Sequence, residues 1–337
     1  MKTFCKKPFR LFKSPLLFLL IVAIVSPLGA YAEPIVIRFS HVVAEDTPKG
    51  LLALKFQELV QQRLGDDKVV VKIFPNSSLF GDSSIGDEIL KGNVELAAPN
   101  TAKLKKYTKR LQVFDIPFLF VSPEAASKFL SGTYGKRMLR LVDSKGLIGL
   151  GFLNNGMKQL SANKKIVMPE DVAGMKFRIV NSDVMVDQFN TLDAVPIKKS
   201  FKALYGALET GELDGQQNTW SNIYSKKFHE HQPYILESNH AYLGYMLLSS
   251  QKFWKSMPDD IRGIVEQALS EALDYGNEIA VKKAEEDRRN IVESGMVKLH
   301  TMSLDERKAW TKALQPVWKT YEDEIGSDLI NAAASSR

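Results

Sequence analysis

The stretch from Ile35 to Asn100 limits the fold more than any other. Ile35, Ile37 and Phe39 alternate with Val36, Arg38 and Ser40, the period of a strand. Asp46 and Thr47 are N-cap types and Pro48 suits a first helical turn. Leu52, Phe56, Leu59 and Val60 then keep helical spacing as far as Gly65. A second strand covers 69–74 and ends at Pro75-Asn76. A short helix begins at Ile85 and stops at Gly92-Asn93, and VELAAPN (94–100) makes a third strand. Strand, helix, strand, helix, strand is the order of βαβ units on a parallel sheet.

The pattern recurs after Leu147. Residues 147–155 and 174–181 read as strands, 183–192 as a helix, 195–199 as a short strand and 201–211 as a helix closed by Gly211. Residues 258–295 read as one or two long amphipathic helices. Residues 303–325 read as another, opened by a capping box at Ser303 and Glu306. Two α/β lobes with a helical C-terminal third are predicted. In open α/β sheets ligands sit beyond the carboxyl ends of strands. Those ends are Ser40-His41, Pro99-Asn100, Asn154-Asn155 and 179–181.

The first 32 residues stand apart. Lys2, Lys6, Lys7, Arg10 and Lys13 precede an apolar run from Leu16 to Leu28, and Ala30-Tyr31-Ala32 follows. This is the layout of a cleaved signal peptide, with cleavage expected after Ala32 and a periplasmic destination. The run is short for a membrane span. The whole chain carries 45 Lys and Arg against 39 Asp and Glu; without the five leader cations the count is 40 against 39. The basic balance is therefore a property of the leader and argues against a nucleic-acid partner. The single cysteine, Cys5, also lies in the leader, so the remaining 305 residues hold neither disulfides nor a thiol nucleophile.

Enzyme signatures are absent. GDSSIG (81–86) has the wrong spacing for a nucleophile elbow, and neither a Walker A loop nor a dinucleotide fingerprint occurs. His229 and His231 flank Glu230 at a spacing that splays them apart, and they read as solvated rather than metal-binding. No cofactor and no metal are expected. An exported two-lobed chain without a reactive constellation reads as a binder, not an enzyme.

GMKFRIVN (174–181) raises one charge question. Alternation alone puts Arg178 on the outer, solvated face of a half-buried strand; at a strand end facing a cleft the same residue clamps an anion. His41 and Asn100 end strands that face the same cleft, although His41 reads equally as a hydrogen-bonded strand-end histidine. Lys49 falls in a first helical turn, where the dipole disfavours a cation, and that misfit hints at a role in the site.

Three groups of residues settle the reading: 174–228, including DGQQN (214–218); IRFSHVVAEDTPKG (37–50) with VKIFPNSSLFGD (71–82); and QVFDIPFLF (112–120) with AYLGYMLL (241–248). They resemble the solute-binding proteins of TRAP transporters, in the DctP-like dicarboxylate-binding class. The resemblance implies the two-lobed periplasmic binding protein fold: each lobe a mixed sheet flanked by helices, crossing hinge strands and long C-terminal helices. Lobe I is expected to comprise 33–154 plus about 246–282, and lobe II 155–245 plus about 283–337. The implied function is reception of a C4-dicarboxylate such as succinate, fumarate or malate, and its delivery to a permease of small and large membrane subunits.

By the same resemblance Arg178 holds the place of the carboxylate clamp and Asn218 that of an asparagine touching the same carboxylate. Lys158 and Lys103 occupy places where relatives put ligand-contacting cations, though Lys103 also heads a basic run with Lys105 and Lys106. Trp220 walls the cleft or packs between the lobes. Gln217 stands where Glu is more usual. An arginine fork gives two parallel charge-assisted bonds of about 1.5–3 kcal/mol each, and a micromolar complex needs about 8 kcal/mol. Three cations exceed the need of one carboxylate, which favours a diacid over a 2-oxo, aromatic or sugar acid. A ligand-presenting sensor for a membrane kinase is the reading from another class.

Overall fold

A computed structural model describes residues 1–3, 5 and 33–336. The apolar leader and the expected cleavage point after Ala32 lie outside the described residues. The chain divides into two compact units, Met1–Glu33 and Pro34–Arg337, and among the described residues the second holds every regular element.

Its elements begin with β1 (Ile35–Ser40), α1 (Pro48–Leu64), β2 (Val69–Phe74), α2 (Ile85–Lys91) and β3 (Leu96–Ala97). Two 3-10 turns, Thr101–Leu104 and Lys109–Asp115, lead to α3 (Pro123–Ser131) and α4 (Thr133–Leu139). Then come β4 (Leu147–Ala162), β5 (Lys176–Ile179), α5 (Asp183–Thr191), β6 (Val195–Lys198), α6 (Leu204–Glu209), β7 (Gly215–Asn218) and α7 (Trp220–Ser225). The chain closes with β8 (Tyr234–Ser250), α8 (Gln251–Ser256), α9 (Asp259–Glu293), β9 (Lys298–Thr301), α10 (Leu304–Ile325) and α11 (Ser327–Ala334). Local chemistry fixes several ends as expected. The Thr47 side chain accepts from Gly50 N–H, and Ser303 and Glu306 form the reciprocal capping box. The 258–295 region is one helix of 35 residues, ~52 Å long.

All nine strands of the described residues join one sheet in the order β2-β1-β3-β8-β4-β7-β5-β6, with β9 on β8. The outer strands pair in parallel, β1 with β2 and β3, and β5 with β6 and β7. The two long strands β4 and β8 run antiparallel through the middle. Each serves both halves of the sheet. β3 pairs with β8 at Leu248 near its C-terminal end, whereas β9 pairs with its first residues, Tyr234 to Glu237. β7 pairs with the last four residues of β4. The mixed sheets expected for two lobes are thus joined by crossing strands into a single ladder.

β4 outlasts its expected end at Asn155 by seven residues. Asn155-Gly156 reads as a stop, yet it is a bulge: pairing shifts register between Asn154 and Met157, and Gly156 takes φ +93°. Asn154 Oδ1 accepts Gly156 N–H at 2.8 Å, while Asn277 of α9 accepts Asn154 N–H at 2.7 Å.

Three apolar clusters hold the unit together. One packs β1, α1 and the first half of α9 around Phe39, Phe56, Leu153 and Leu269. A larger one joins Phe114, Phe120, Phe177, Phe189, Trp310 and Leu329. The third sets Leu204, Trp220, Ile223, Phe228 and Ile291 together. Among the described residues no helix is long and apolar enough to cross a membrane.

Candidate functional site

The carboxyl ends of β1, β2, β3, β5, β6 and β7 converge on a cavity of about 340 Å³, where ligands sit in open α/β sheets. The middle of β4 and β8 completes its wall through Lys158, Leu243 and Tyr245.

Arg178 reaches this cavity from β5 and is only 3 % exposed. The alternation places it on an outer face, but that face is covered here. Lys176 is exposed while Phe177, Arg178 and Ile179 are all buried. Its Nε donates to Lys199 O at 3.0 Å, and the two Nη groups have no protein partner. Burial pulls the guanidinium down to about 10, against the opposing pull of Asp82. A planar fork of donors without a protein partner therefore belongs to the cavity wall.

Asn218 and Gln217 line the same wall from β7. Asn218 Nδ2 donates to Gln216 Oε1 at 3.0 Å, and its Oδ1 accepts from Asn222 Nδ2 at 2.8 Å. Burial and the Lys158 charge push His240 down to about 3, so its ring is neutral. Its Nε2 lies 2.8 Å from Gln217 Oε1, and Ser238 Oγ lies 2.7 Å from its Nδ1. The carbonyl of Gln217 is thereby held, and its buried Nε2 is left without a hydrogen-bond partner.

Lys158 follows the β4 bulge into the cavity wall and is 2 % exposed. It is not a free cation: Nζ donates to Asp115 Oδ1 at 3.2 Å. Burial lowers its pKa, Asp115 opposes that, and Arg178 adds repulsion. Lys103 also lines the cavity, tied to Ser83 Oγ at 3.2 Å. Its pKa is lowered by burial first and then by Arg178. The basic run divides by role, since Lys105 and Lys106 pair with Asp183 and Asp87. Asn100 lines the cavity as well; its Oδ1 caps the following turn at Ala102 N–H, 2.8 Å away.

Three expected residues stand off the wall. Lys49 is fully buried beneath Tyr245, with Nζ 3.3 Å from the ring centroid and no hydrogen-bond partner. Burial lowers it to about 8. His41 lies in the same layer, both ring nitrogens unpartnered, and burial with the Lys49 charge holds it neutral at about 3. Trp220 packs in the third apolar cluster, with the Arg288 guanidinium 5.8 Å from its ring. Its aromatic bulk serves that core, not the cavity wall. The expectation of solvated histidines fails for His229, which is buried against Tyr224 with rings 5.9 Å apart. Among the described residues no cluster of His, Cys, Asp and Glu is arranged to hold a metal.

Sequence reasoning missed Asp82, Tyr245, Asn222 and Asp115. Asp82 lies in GDSSIG (81–86), and its signal is a carboxylate two residues beyond Phe80 in a loop after a parallel strand. Asp115, buried in QVFDIPFLF, carries the signal of a lone charge in an apolar run.

A family model described as bacterial extracellular solute-binding protein, family 7, matches residues 39–324. A protein from Shewanella loihica named C4-dicarboxylate-binding periplasmic protein DctP is 48% identical over 309 residues, covering 92% of each chain. A TRAP periplasmic solute-binding protein from Shewanella oneidensis, solved with bound succinate, superimposes with a TM-score of 0.89 at 48% identity, covering 90% of this chain and 99% of that one. One from Pseudomonas aeruginosa, solved with bound L-malate, gives 0.83 at 40% identity, covering 86% of this chain and all of the other. With that coverage and identity, and with a cation-lined cavity at the ends of its strands, the chain belongs to the bacterial extracellular solute-binding protein family 7.

Proposed function

We infer that this protein is the periplasmic receptor of a TRAP-type transporter and binds a C4-dicarboxylate such as succinate, fumarate or malate. The observation that carries the reading is the charge of the cavity. Arg178, Lys103 and Lys158 on its wall, with Lys49 behind it, are four cations; Asp82 and Asp115 are two carboxylates. Lys202 also lines the cavity but is exposed to solvent and screened, so among the buried groups the surplus is two positive charges, the complement of a fully ionised diacid. Relatives whose names and bound ligands are C4-dicarboxylates agree with this.

Arg178 takes one carboxylate through its free Nη donors, supported by Asn218 and Gln217. Lys103 and Asn100 receive the far carboxylate, with Lys49 and His41 acting from behind Tyr245. Lys158 contributes through the field of a pair already half-neutralised by Asp115. The lobes exchange at residues 154–155 and 245–246, beside the β4 bulge, and close over the acid. Closure is stabilised by ligand contacts made in that state alone. The closed form docks on the permease subunits, and the leader is removed after Ala32.

Calorimetry against a panel of acids tests the reading. Succinate, fumarate or malate is expected to bind at micromolar strength or better, and butyrate and sugar monoacids at least tenfold more weakly. A monocarboxylate binding tighter than every diacid overturns it.

A further inference from the structure

We propose that Asp82 sets the charge limit of the cavity, admitting dianions and rejecting trianions. The inference rests on the diacid reading above. Asp82 is the sole carboxylate among the described lining residues. It sits in the loop after β2, held by Asn100 N–H donating to its Oδ2 at 3.3 Å. Arg178, Lys103 and Lys49, from three different elements, all feel its charge.

A carboxylate is an acceptor only. In an anion pocket it offers nothing to an incoming carboxylate, and each added negative charge near it is repelled. What it does offer is balance. It keeps buried cations from facing one another uncompensated while the cavity is empty, and it holds their surplus to two.

The volume of the cavity in this conformation does not by itself exclude the larger acid. At about 30 Å³ per water, 340 Å³ holds roughly eleven waters. That is more than the skeleton of a four-carbon diacid requires, and it leaves room for a six-carbon tricarboxylate. Rejection of the larger acid therefore falls to charge. Like charges brought together across a desolvated contact are strongly disfavoured.

The test uses the full-length mature protein and two probes, succinate and citrate, at about pH 7.5, well above the ordinary carboxyl range and below the value of about 8 at which Lys49 loses its proton. The wild type is expected to bind succinate about a hundredfold tighter than citrate. Asp82→Asn keeps the shape and an oxygen for Asn100 N–H, and is expected to narrow that ratio by about tenfold or more. Asp82→Ser removes the same charge and gives the same comparison if the amide is not tolerated. Asp82→Glu is expected to keep the wild-type ratio. An unchanged ratio in the folded neutral variants overturns the proposal, as does loss of both ligands together, which makes Asp82 a direct contact. Equal wild-type affinity for citrate and succinate also overturns it while leaving the diacid reading standing. A wild type that binds neither succinate, fumarate nor malate overturns both.

Discussion

Arg178 and Lys49 are both buried cations without a carboxylate partner; one lines the cavity, and the other lies behind the Tyr245 ring that lines it. Arg178 comes from β5 and keeps two Nη groups open toward the space. Lys49 comes from the first turn of α1 and is sealed under the Tyr245 ring. In the function proposed above, the first is the direct contact for an anion. The second supplies only field, because a ring stands between it and any ligand. Burial of a charge thus marks a functional region, but the direction of its free donors decides which residues touch the ligand.

The strongest way to break this contrast is Arg178→Ala. Two charge-assisted bonds of about 1.5–3 kcal/mol each are lost, so succinate affinity should fall at least about a hundredfold in calorimetry. Arg178→Lys keeps the charge and loses the fork; recovery of full affinity by lysine would reduce Arg178 to a field source like Lys49.

The Lys49 side of the contrast is read by pH. Its folded value of about 8 lies below its ordinary 10.5. Between those values the unfolded chain holds the proton that the folded chain has released. The Lys49 contribution to ligand-free stability therefore rises with pH over that window. Dianion binding has the opposite dependence, since it favours the charged lysine. Succinate affinity should weaken above about pH 8, by up to about one decade per pH unit. Lys49→Met should flatten that slope. Equal slopes in the two proteins would assign the effect to Lys103 or Lys158, whose values burial also lowers.

The smallest effect on binding is expected at Trp220. Trp220→Phe should leave succinate affinity within about twofold while lowering the melting temperature by several degrees, as a core substitution does. A large loss of affinity with no thermal shift would return Trp220 to the binding machinery.

The order of elements was legible wherever local chemistry decides it. Thr47 and Pro48 start α1, Ser303 and Glu306 start α10, and the alternation of 35–40 makes β1. The long strands were not. β4 hides its continuation behind Asn155-Gly156, and β8 interrupts its apolar residues with Glu237, Ser238, Asn239 and His240. Both are held by partners distant in sequence, which no local pattern records. In the site, the resemblance to TRAP solute-binding proteins, not spacing, pointed to Arg178, Asn218, Lys158 and Lys103, and all four lie on the cavity wall. Whether a neighbour blocks or balances a charge is a tertiary fact, so neither the Tyr245 ring over Lys49 nor the Asp115 partner of Lys158 could be read from spacing.

The ladder that runs unbroken through β4 and β8 also bears on how this molecule can be divided. A protein of two lobes on separate sheets can be split at its linker into independent modules. Here a cut beside Asn154 would leave each piece with a truncated long strand and a row of unpaired backbone groups along a new open edge. The two halves of the sheet are not separable modules, because neither is complete without both long strands.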